Sequence, residues 1–247
     1  MAYGDGPGSD RAPALIRFEV ISEAWQKFQA NMTPWILAAL IQGLILGTIL
    51  GVFYVGIFAA SFSSAMANQG KQDPPAVNIG LQLGSNAFGL GLQAIQFPFL
   101  GGMVLMAIKQ LRGQSIAPAD VFAGFAQFGP LALAGILYGL GVQIGSLFCL
   151  VPGLLLAGLW MLTVPLIVDQ GLDAITALKT SMKTLQPQMW PALGLYFVLS
   201  LVAGLGSFAC LVGVIFTMPL LPLGIALLYK DFYPERFAPV SVVEADF

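Results

Sequence analysis

Residues 129–169, GPLALAGILYGLGVQIGSLFCLVPGLLLAGLWMLTVPLIVD, decide the fold of this chain. They form two apolar runs with almost no polar connection, which is too hydrophobic and too closely spaced for a soluble fold. A related stretch follows 61 positions later, so that Pro130 aligns with Pro191 and Cys149-Leu150-Val151 aligns with Cys210-Leu211-Val212 without a gap. The sequence therefore predicts a duplicated unit built on a pair of transmembrane helices.

The composition of the whole chain indicates an integral membrane protein. Of its 247 residues 57% are hydrophobic and only 9% are charged, whereas soluble domains carry roughly 25% charged residues. The formal net charge of −2 argues against nucleic acid as a partner. With no histidine and only two cysteines, the sequence has no Ser-His-Asp or Cys-His arrangement and no imidazole ligand for a metal. We therefore expect no enzymatic activity, no cofactor and no metal.

Six apolar runs are long enough to cross a bilayer, whose ~30 Å hydrocarbon core needs ~20 helical residues. Each pair of runs follows a short amphipathic segment and a proline at its entry, plainly in the last two pairs and more loosely in the first. We predict an all-α integral membrane fold with six transmembrane helices arranged as three hairpins, built from internal pseudo-repeats. The predicted spans are Pro34 to about Ala60, a second with its apolar body at Phe97–Leu111, Pro130–Leu147, Pro152–Val168, Trp190–Ala209 and Val212–Leu228.

Polar stretches set the predicted boundaries of the domain. The first long apolar run begins at Pro34 and is long enough to stay in the membrane, so we expect no cleaved leader. Residues 61–80 are predicted to be the only substantial loop between spans. The predicted organisation is a flexible tail at 1–14, a six-helix domain at 15–233 with repeat-like units at 15–112, 115–170 and 173–233, and a C-terminal tail at 234–247.

The segment before each pair of spans places apolar residues three and four positions apart. In Leu15–Asn31 this pattern gives one apolar face, with Trp25 as an anchor, and predicts a helix lying in the membrane interface. A helix packed on a soluble partner is the alternative. The corresponding segments are Ser115–Gln127 and Asp173–Gln186, and Asp173 is suited to cap the helix that follows it.

Basic residues predict how the chain is oriented. Nine of the ten lie before span one, between spans two and three, between spans four and five, or after span six, and only Lys71 falls on the other side. Positive residues in short loops tend to stay in the cytoplasm. We therefore expect a location in the cell inner membrane with both termini cytoplasmic.

Glycines inside the spans predict close packing of helices rather than a phosphate-binding loop. Gly43, Gly47 and Gly51 lie on one helical stripe, and Gly135 and Gly139 repeat the spacing in span three. Such stripes let another backbone approach closely in lipid. The partner of the first stripe is either another helix of this chain, which we favour, or another copy. Membrane lipids, further copies of the chain and other membrane proteins are thus the expected partners.

Charged residues at the ends of the even-numbered spans form a candidate tie between helices. Lys109, Asp169 and Lys230 close spans two, four and six, and the last two are equivalent in the repeat. We hypothesise that Asp169 pairs with one of these lysines at the inner face. Solvent and headgroups would hold the contribution of such a pair to about 1 kcal/mol.

Amides and cysteines are the remaining candidate functional side chains within the spans. Gln42, Gln96 and Gln143 are placed to make hydrogen bonds between helices, or alternatively to line a path for a solute. Cys149 and Cys210 lie at equivalent hairpin tips, where an oxidising compartment would permit a disulfide. The alternative, which we favour, is two small apolar residues in tight turns.

Residues from Leu111 to Tyr233 carry a resemblance to a known group. The chain is similar to uncharacterised bacterial multi-pass membrane proteins that resemble the membrane domain of glycerophosphoryl diester phosphodiesterases. This resemblance implies an inner-membrane helical domain that often lacks a catalytic partner, and we expect no phosphodiesterase activity here. The residues that carry it are Leu111-Arg112-Gly113-Gln114, Asp120-Val121-Phe122-Ala123-Gly124-Phe125, Val151-Pro152-Gly153, Pro165-Leu166-Ile167-Val168-Asp169, Ala177-Leu178-Lys179-Thr180-Ser181, Pro219-Leu220 and Tyr229.

Two functions from different classes are consistent with this sequence. The first is a non-enzymatic protein with a structural, assembly or membrane-organising role, which packs with itself or with partner membrane proteins. The alternative is a transporter or lipid-handling permease, because pseudosymmetric repeats with kinked helices are typical of transporters. An enclosed polar cavity at the middle of the membrane would favour transport, and a solid core with flat apolar faces would favour assembly.

Overall fold

The computed structural model describes residues 15–67, 75–148, 150–206 and 210–238. These residues contain no strand, and six of their helical stretches are long and apolar enough to cross a membrane. The prediction of an all-helical multi-pass membrane protein is therefore confirmed. The α-helices are α1 (Val20–Ala30), α2 (Met32–Ala67), α3 (Pro75–Leu111), α4 (Phe128–Phe148), α5 (Leu150–Leu159), α6 (Thr163–Gln170), α7 (Ala174–Leu185), α8 (Met189–Leu205), α9 (Cys210–Thr217) and α10 (Leu220–Phe232).

Shorter 3-10 helices join some of these elements. Residues Pro118–Gln127, here called the 3-10 segment, lie where an amphipathic helix was predicted, and they lead directly into α4. A proline in the first turn is compatible with this geometry, because the N–H that proline lacks would be unpaired there. Two further 3-10 turns follow α7 and α10, at Gln186–Gln188 and Pro234–Arg236.

The first two spans are longer than the sequence predicts. Helices α2 and α3 have 36 and 37 residues, so each is roughly 55 Å long at 1.5 Å rise per residue. The predicted loop 61–80 is wrong for most of its length, because α2 continues to Ala67 and α3 begins at Pro75. The three serines in 61–67 cost a helix little, and no proline lies between 61 and 67 to end it.

The fourth and sixth spans are each broken into two half-helices. In the fourth, α5 ends at Leu159 and α6 begins at Thr163, while in the sixth a short turn separates α9 from α10. Pro165 and Pro222 are the third residues of the two second halves. Because proline has no N–H and clashes with the preceding turn, it is tolerated in the first turn of a helix and weakens a helix that continues through it. The predicted spans Pro152–Val168 and Val212–Leu228 each run across one of these breaks, whose positions were not predicted.

The even-numbered spans form the core of the molecule. In their most apolar stretches 56%, 61% and 56% of residues are buried, against 17%, 33% and 17% in spans one, three and five. Helix α3 contacts both α6 and α10, and the two half-helices also touch each other. Helices α2, α4 and α8 lie around this centre. The centre of the molecule is therefore formed mainly by α3, α5, α6 and α10.

Two glycines let the 3-10 segment cross α3 with backbone against backbone. A Cβ on Gly102 would collide with the carbonyl oxygen of Val121, and a Cβ on Gly124 would collide with that of Pro98. Neither neighbour is the movable end of a side chain, so the chain requires glycine at both positions. This contact holds the 3-10 segment beside Pro98, the only proline within α3 after its first residue.

Candidate functional site

A cavity of about 200 Å³ lies between the core helices and two of the outer ones. Four of its lining side chains are polar, namely Gln93 and Gln96 from α3, Tyr138 from α4 and Tyr196 from α8. Apolar side chains from α3, α5, α6, α10 and the break between α5 and α6 complete the wall. No charged residue lines the cavity. It therefore offers neutral hydrogen-bonding groups on an apolar background.

The two tyrosines meet across the cavity. The hydroxyl oxygens of Tyr138 and Tyr196 lie 3.0 Å apart, and either can be the donor. Because only one hydroxyl hydrogen is used in this bond, the pair keeps one hydrogen to donate to a third group. The side chains of Gln93 and Gln96 make no hydrogen bond with any other residue that the structure describes. Their amides are therefore free to both donate and accept.

The cavity lies at the breaks in spans four and six. Trp160 and Met161 belong to the turn between α5 and α6, and Val164 to the first turn of α6. Leu221 and Ile225 occupy the first two turns of α10. Trp160 stands at the middle of the fourth span, Val151–Gln170. The cavity thus lies about halfway along that span.

A serine from α7 hydrogen-bonds to the backbone at the break in span four. The backbone N–H of Leu162 donates to Ser181 Oγ at 3.1 Å, and that hydroxyl donates to the carbonyl oxygen of Leu159 at 2.7 Å. Ser181 is fully buried, so it takes the place of the backbone hydrogen bonds that the break removes. The neighbouring Thr163 is also fully buried, and its hydroxyl has no hydrogen-bond partner among the described residues.

The three predicted glutamines do not come together. Gln96 lines the cavity, Gln42 is buried in α2 with its Oε1 unpaired among the described residues, and Gln143 is exposed on α4. Sequence reasoning missed Gln93, although its spacing of three from Gln96 places both on one helix face. It also missed the two tyrosines, because their contact depends on how α4 and α8 pack on either side of α5.

At the end of the molecule where α3, α6 and α10 finish, a polar network joins all three helices. Arg112 Nη2 lies 2.6 Å from Asp169 Oδ1, and the hydroxyl of Tyr229 donates to Asp169 Oδ2 at 2.8 Å. The Asp169 side chain is only 6% exposed. Gln170 Nε2 donates to the same tyrosine hydroxyl at 3.0 Å. The guanidinium of Arg112 also lies 5.2 Å from the centre of the Phe237 ring.

This network corrects the predicted pairing of Asp169. Its partner is Arg112 rather than Lys109 or Lys230. Lys109 instead lies 2.7 Å from Asp120, at the start of the 3-10 segment. Lys230 is exposed and has no ionic partner in the described part of the chain. The 3-10 segment brings its own carboxylate to Lys109, which leaves Asp169 to the arginine three residues further on.

The two ends of the domain meet at this same face. Arg17 forms an ion pair of 2.9 Å with Asp231 and a second of 3.1 Å with Glu23. The hydrogen bond to Asp231 raises the pKa of Arg17, so this guanidinium stays charged. Gln110 accepts a hydrogen bond of 2.8 Å from Trp35 Nε1 and donates one of 2.6 Å to the carbonyl oxygen of Lys27. Helix α1 and the first turn of α2 are thereby fixed to the end of α3.

The predicted glycine positions have two different environments. A Cβ on Gly135 would lie 2.6 Å from the backbone oxygen of Gln93, and one on Gly139 would lie 3.3 Å from its side chain. These two glycines therefore allow α4 to approach α3. By contrast, a Cβ on Gly43, Gly47 or Gly51 would meet nothing within 4 Å. The partner within the chain that we expected for this stripe is absent from the described residues.

The cysteine prediction cannot be placed in this geometry. Cys149 lies outside the described residues, and Cys210 begins α9 with no description of its side chain. Within the described ranges, no group of three or more Cys, Asp or Glu side chains is arranged to hold a metal ion. The cavity and the network around Asp169 are therefore the two candidate sites.

Comparisons with known proteins add no family to this picture. No protein-family model matches the chain, no curated protein matches it, and no solved structure matches it. These comparisons neither support nor contradict the resemblance to the membrane domain of glycerophosphoryl diester phosphodiesterases. The geometry of the cavity and of its surrounding helices is thus the basis for a functional proposal.

Proposed function

We propose that this membrane protein is a transporter that binds a small neutral solute in the cavity around Tyr138 and Tyr196. The observation that carries the proposal is the position of the cavity at the breaks of spans four and six. Paired interruptions at corresponding positions of two repeats are the feature that marks binding sites in many transporters. The proposal takes the repeats and hairpins expected from the sequence as its framework.

The size and the chemistry of the cavity limit the solute. Its volume of about 200 Å³ is below the range of roughly 300–1,000 Å³ that holds drug-sized ligands. A charged solute would lose its hydration without gaining a counter-ion, because the lining side chains are neutral. Two amides and a pair of hydroxyls suit a small polar molecule that both donates and accepts hydrogen bonds.

The helix arrangement suggests how such a solute would reach either side. The broken helices can bend at their turns, since fewer backbone hydrogen bonds hold the chain there. The network of Arg112, Asp169 and Tyr229 ties the same helices together at one end of the molecule. Opening toward that end requires this network to separate, whereas opening toward the other end does not.

Solute flux into proteoliposomes tests the proposal. Vesicles containing the purified protein are challenged with glycerol or urea, and stopped-flow light scattering measures how fast their volume recovers. We expect faster recovery than in protein-free vesicles and a loss of the excess rate in the double variant Gln96→Leu, Tyr138→Phe. Gln143→Leu, at a position of α4 that does not line the cavity, is the matched control and is expected to keep the rate. Recovery equal to protein-free vesicles for both solutes would contradict the proposal.

A second candidate function, self-association in a structural or assembly role, is favoured by α2. Only 17% of its most apolar stretch is buried, and the stripe of Gly43, Gly47 and Gly51 faces open space. Another copy of α2 could approach closely at this stripe. Native mass spectrometry would then show oligomers for the wild type and monomers for Gly47→Leu, with Thr48→Leu as the control. A monomeric wild type would contradict this role.

We also propose the cell inner membrane as the location, with both termini in the cytoplasm. The support is the distribution of basic residues in the sequence. The contact between Arg17 and Asp231 adds to it, because it brings residues near both ends of the domain to one face. In this orientation α1, the 3-10 segment and α7 lie at the cytoplasmic interface, in contact with membrane lipids.

A further inference from the structure

A groove separate from the cavity lies between α4 and α7. It has a volume of about 130 Å³, and its wall is apolar except for one lysine. Leu137 of α4 and Trp160 line the groove together with Leu178, Lys179 and Met182 of α7. The groove therefore places one charged group, Lys179, beside apolar side chains.

The lysines on this helix lack the partners that other basic residues have. Lys179 and Lys183 are exposed one helical turn apart, and neither has an ionic partner in the described ranges. The nearest carboxylate along the chain, Asp173, is occupied as the cap of α7, where it accepts a hydrogen bond of 3.0 Å from the backbone N–H of Thr176. This leaves uncompensated positive charge at the rim of an apolar groove.

We propose that the groove binds an anionic phospholipid from the surrounding leaflet. The phosphate lies at Lys179 and Lys183, and one acyl chain lies along Leu137 and Trp160. The volume of about 130 Å³ holds part of one chain rather than a whole lipid, so the rest of the molecule stays in the bilayer. Basic side chains near a membrane surface attract anionic lipid with about 1 kcal/mol each. The inference does not depend on the proposed transport function.

Native mass spectrometry of the full chain with added lipid tests this site. The protein, in neutral detergent, is titrated with phosphatidylglycerol or with phosphatidylcholine of the same acyl chains. We expect tighter binding of phosphatidylglycerol, and roughly fivefold weaker binding for Lys179→Gln or Lys183→Gln, which corresponds to about 1 kcal/mol. Leu137→Trp should fill the groove and weaken both lipids.

Lys230→Gln is the matched control, because it removes the same charge from another exposed position at the end of a span. This variant is expected to bind phosphatidylglycerol like the wild type. Equal binding of the two lipids by the wild type, or an equal loss in the Lys230 variant, would overturn the inference. Displacement of phosphatidylglycerol by excess inorganic phosphate would also overturn it, since the site would then recognise a free anion.

Discussion

The guanidinium of Arg112 and the carboxylate of Asp169 lie 2.6 Å apart and join the ends of α3 and α6. Tyr229 extends the contact to α10 through the second carboxylate oxygen. Each partner comes from a different even-numbered span, so a single carboxylate holds together the three helices that form the core. This contact is also the closure that the proposed transport cycle would have to open.

Asp169→Asn is expected to destabilise the fold by about 2 kcal/mol, because hydrogen bonds to a buried charged group contribute roughly 1.5–3 kcal/mol. The guanidinium of Arg112 would keep only the neutral amide and the carbonyl oxygen of Arg236 as acceptors. Thermal unfolding in detergent micelles, followed by tryptophan fluorescence, measures the loss. Asp231→Asn is the control, because its partner Arg17 is 45% exposed, and we expect it to cost less than about 1 kcal/mol. Equal losses would show that Asp169 is no more than a surface ion pair.

Ser181→Ala is expected to cost about 1–3 kcal/mol, because it leaves the backbone N–H of Leu162 and the carbonyl oxygen of Leu159 unpaired in a buried site. The same unfolding measurement detects it. Thr180→Ala, on the same helix and with no hydrogen bond from its side chain among the described residues, should change stability by less than about 0.5 kcal/mol. If both variants unfold alike, the serine does not support the break.

Gly102→Ala is expected to destabilise the protein by about 1–3 kcal/mol, the usual cost of overpacking. The added methyl group would meet the backbone of Val121, which cannot rotate away. Gly43→Ala is the matched control, because its Cβ would meet nothing within 4 Å and alanine favours a helix by about 1 kcal/mol over glycine. Unfolding temperatures that move together would contradict the close approach at Gly102.

Single cysteines at positions 71 and 179 are expected to be labelled from opposite sides of the membrane. The background is the chain with Cys149→Ala and Cys210→Ala, and the reagent is a maleimide that does not cross bilayers. Applied to intact cells, it should reach Lys71→Cys only, and in inverted vesicles it should reach Lys179→Cys. Labelling of both positions from one side would contradict the predicted topology, in which three spans separate the two positions.

The membrane-spanning helices could be predicted from composition, whereas the contacts between side chains of different helices could not, because they depend on packing. Six membrane-spanning helices follow from hydropathy alone, because every backbone group in lipid must be paired within its own helix. The sequence identified Asp169 as a residue that links spans, but it did not identify its partner. Lys109 and Arg112 lie at the same end of α3, and Lys109 is taken by Asp120 of the 3-10 segment, so that Arg112 pairs with Asp169. Pro165 and Pro222 lie in the first turns of the two second halves, so the breaks have a signal in the sequence.

The position of Trp160 has a consequence for how the two cavities would affect each other. Trp160 lines both the cavity and the groove beside α7. A molecule in the groove that moves the indole therefore reshapes the cavity, and a molecule in the cavity does the same to the groove. Coupling free energies are reciprocal. Lipid binding in the groove and solute binding in the cavity would therefore change each other's affinity through Trp160.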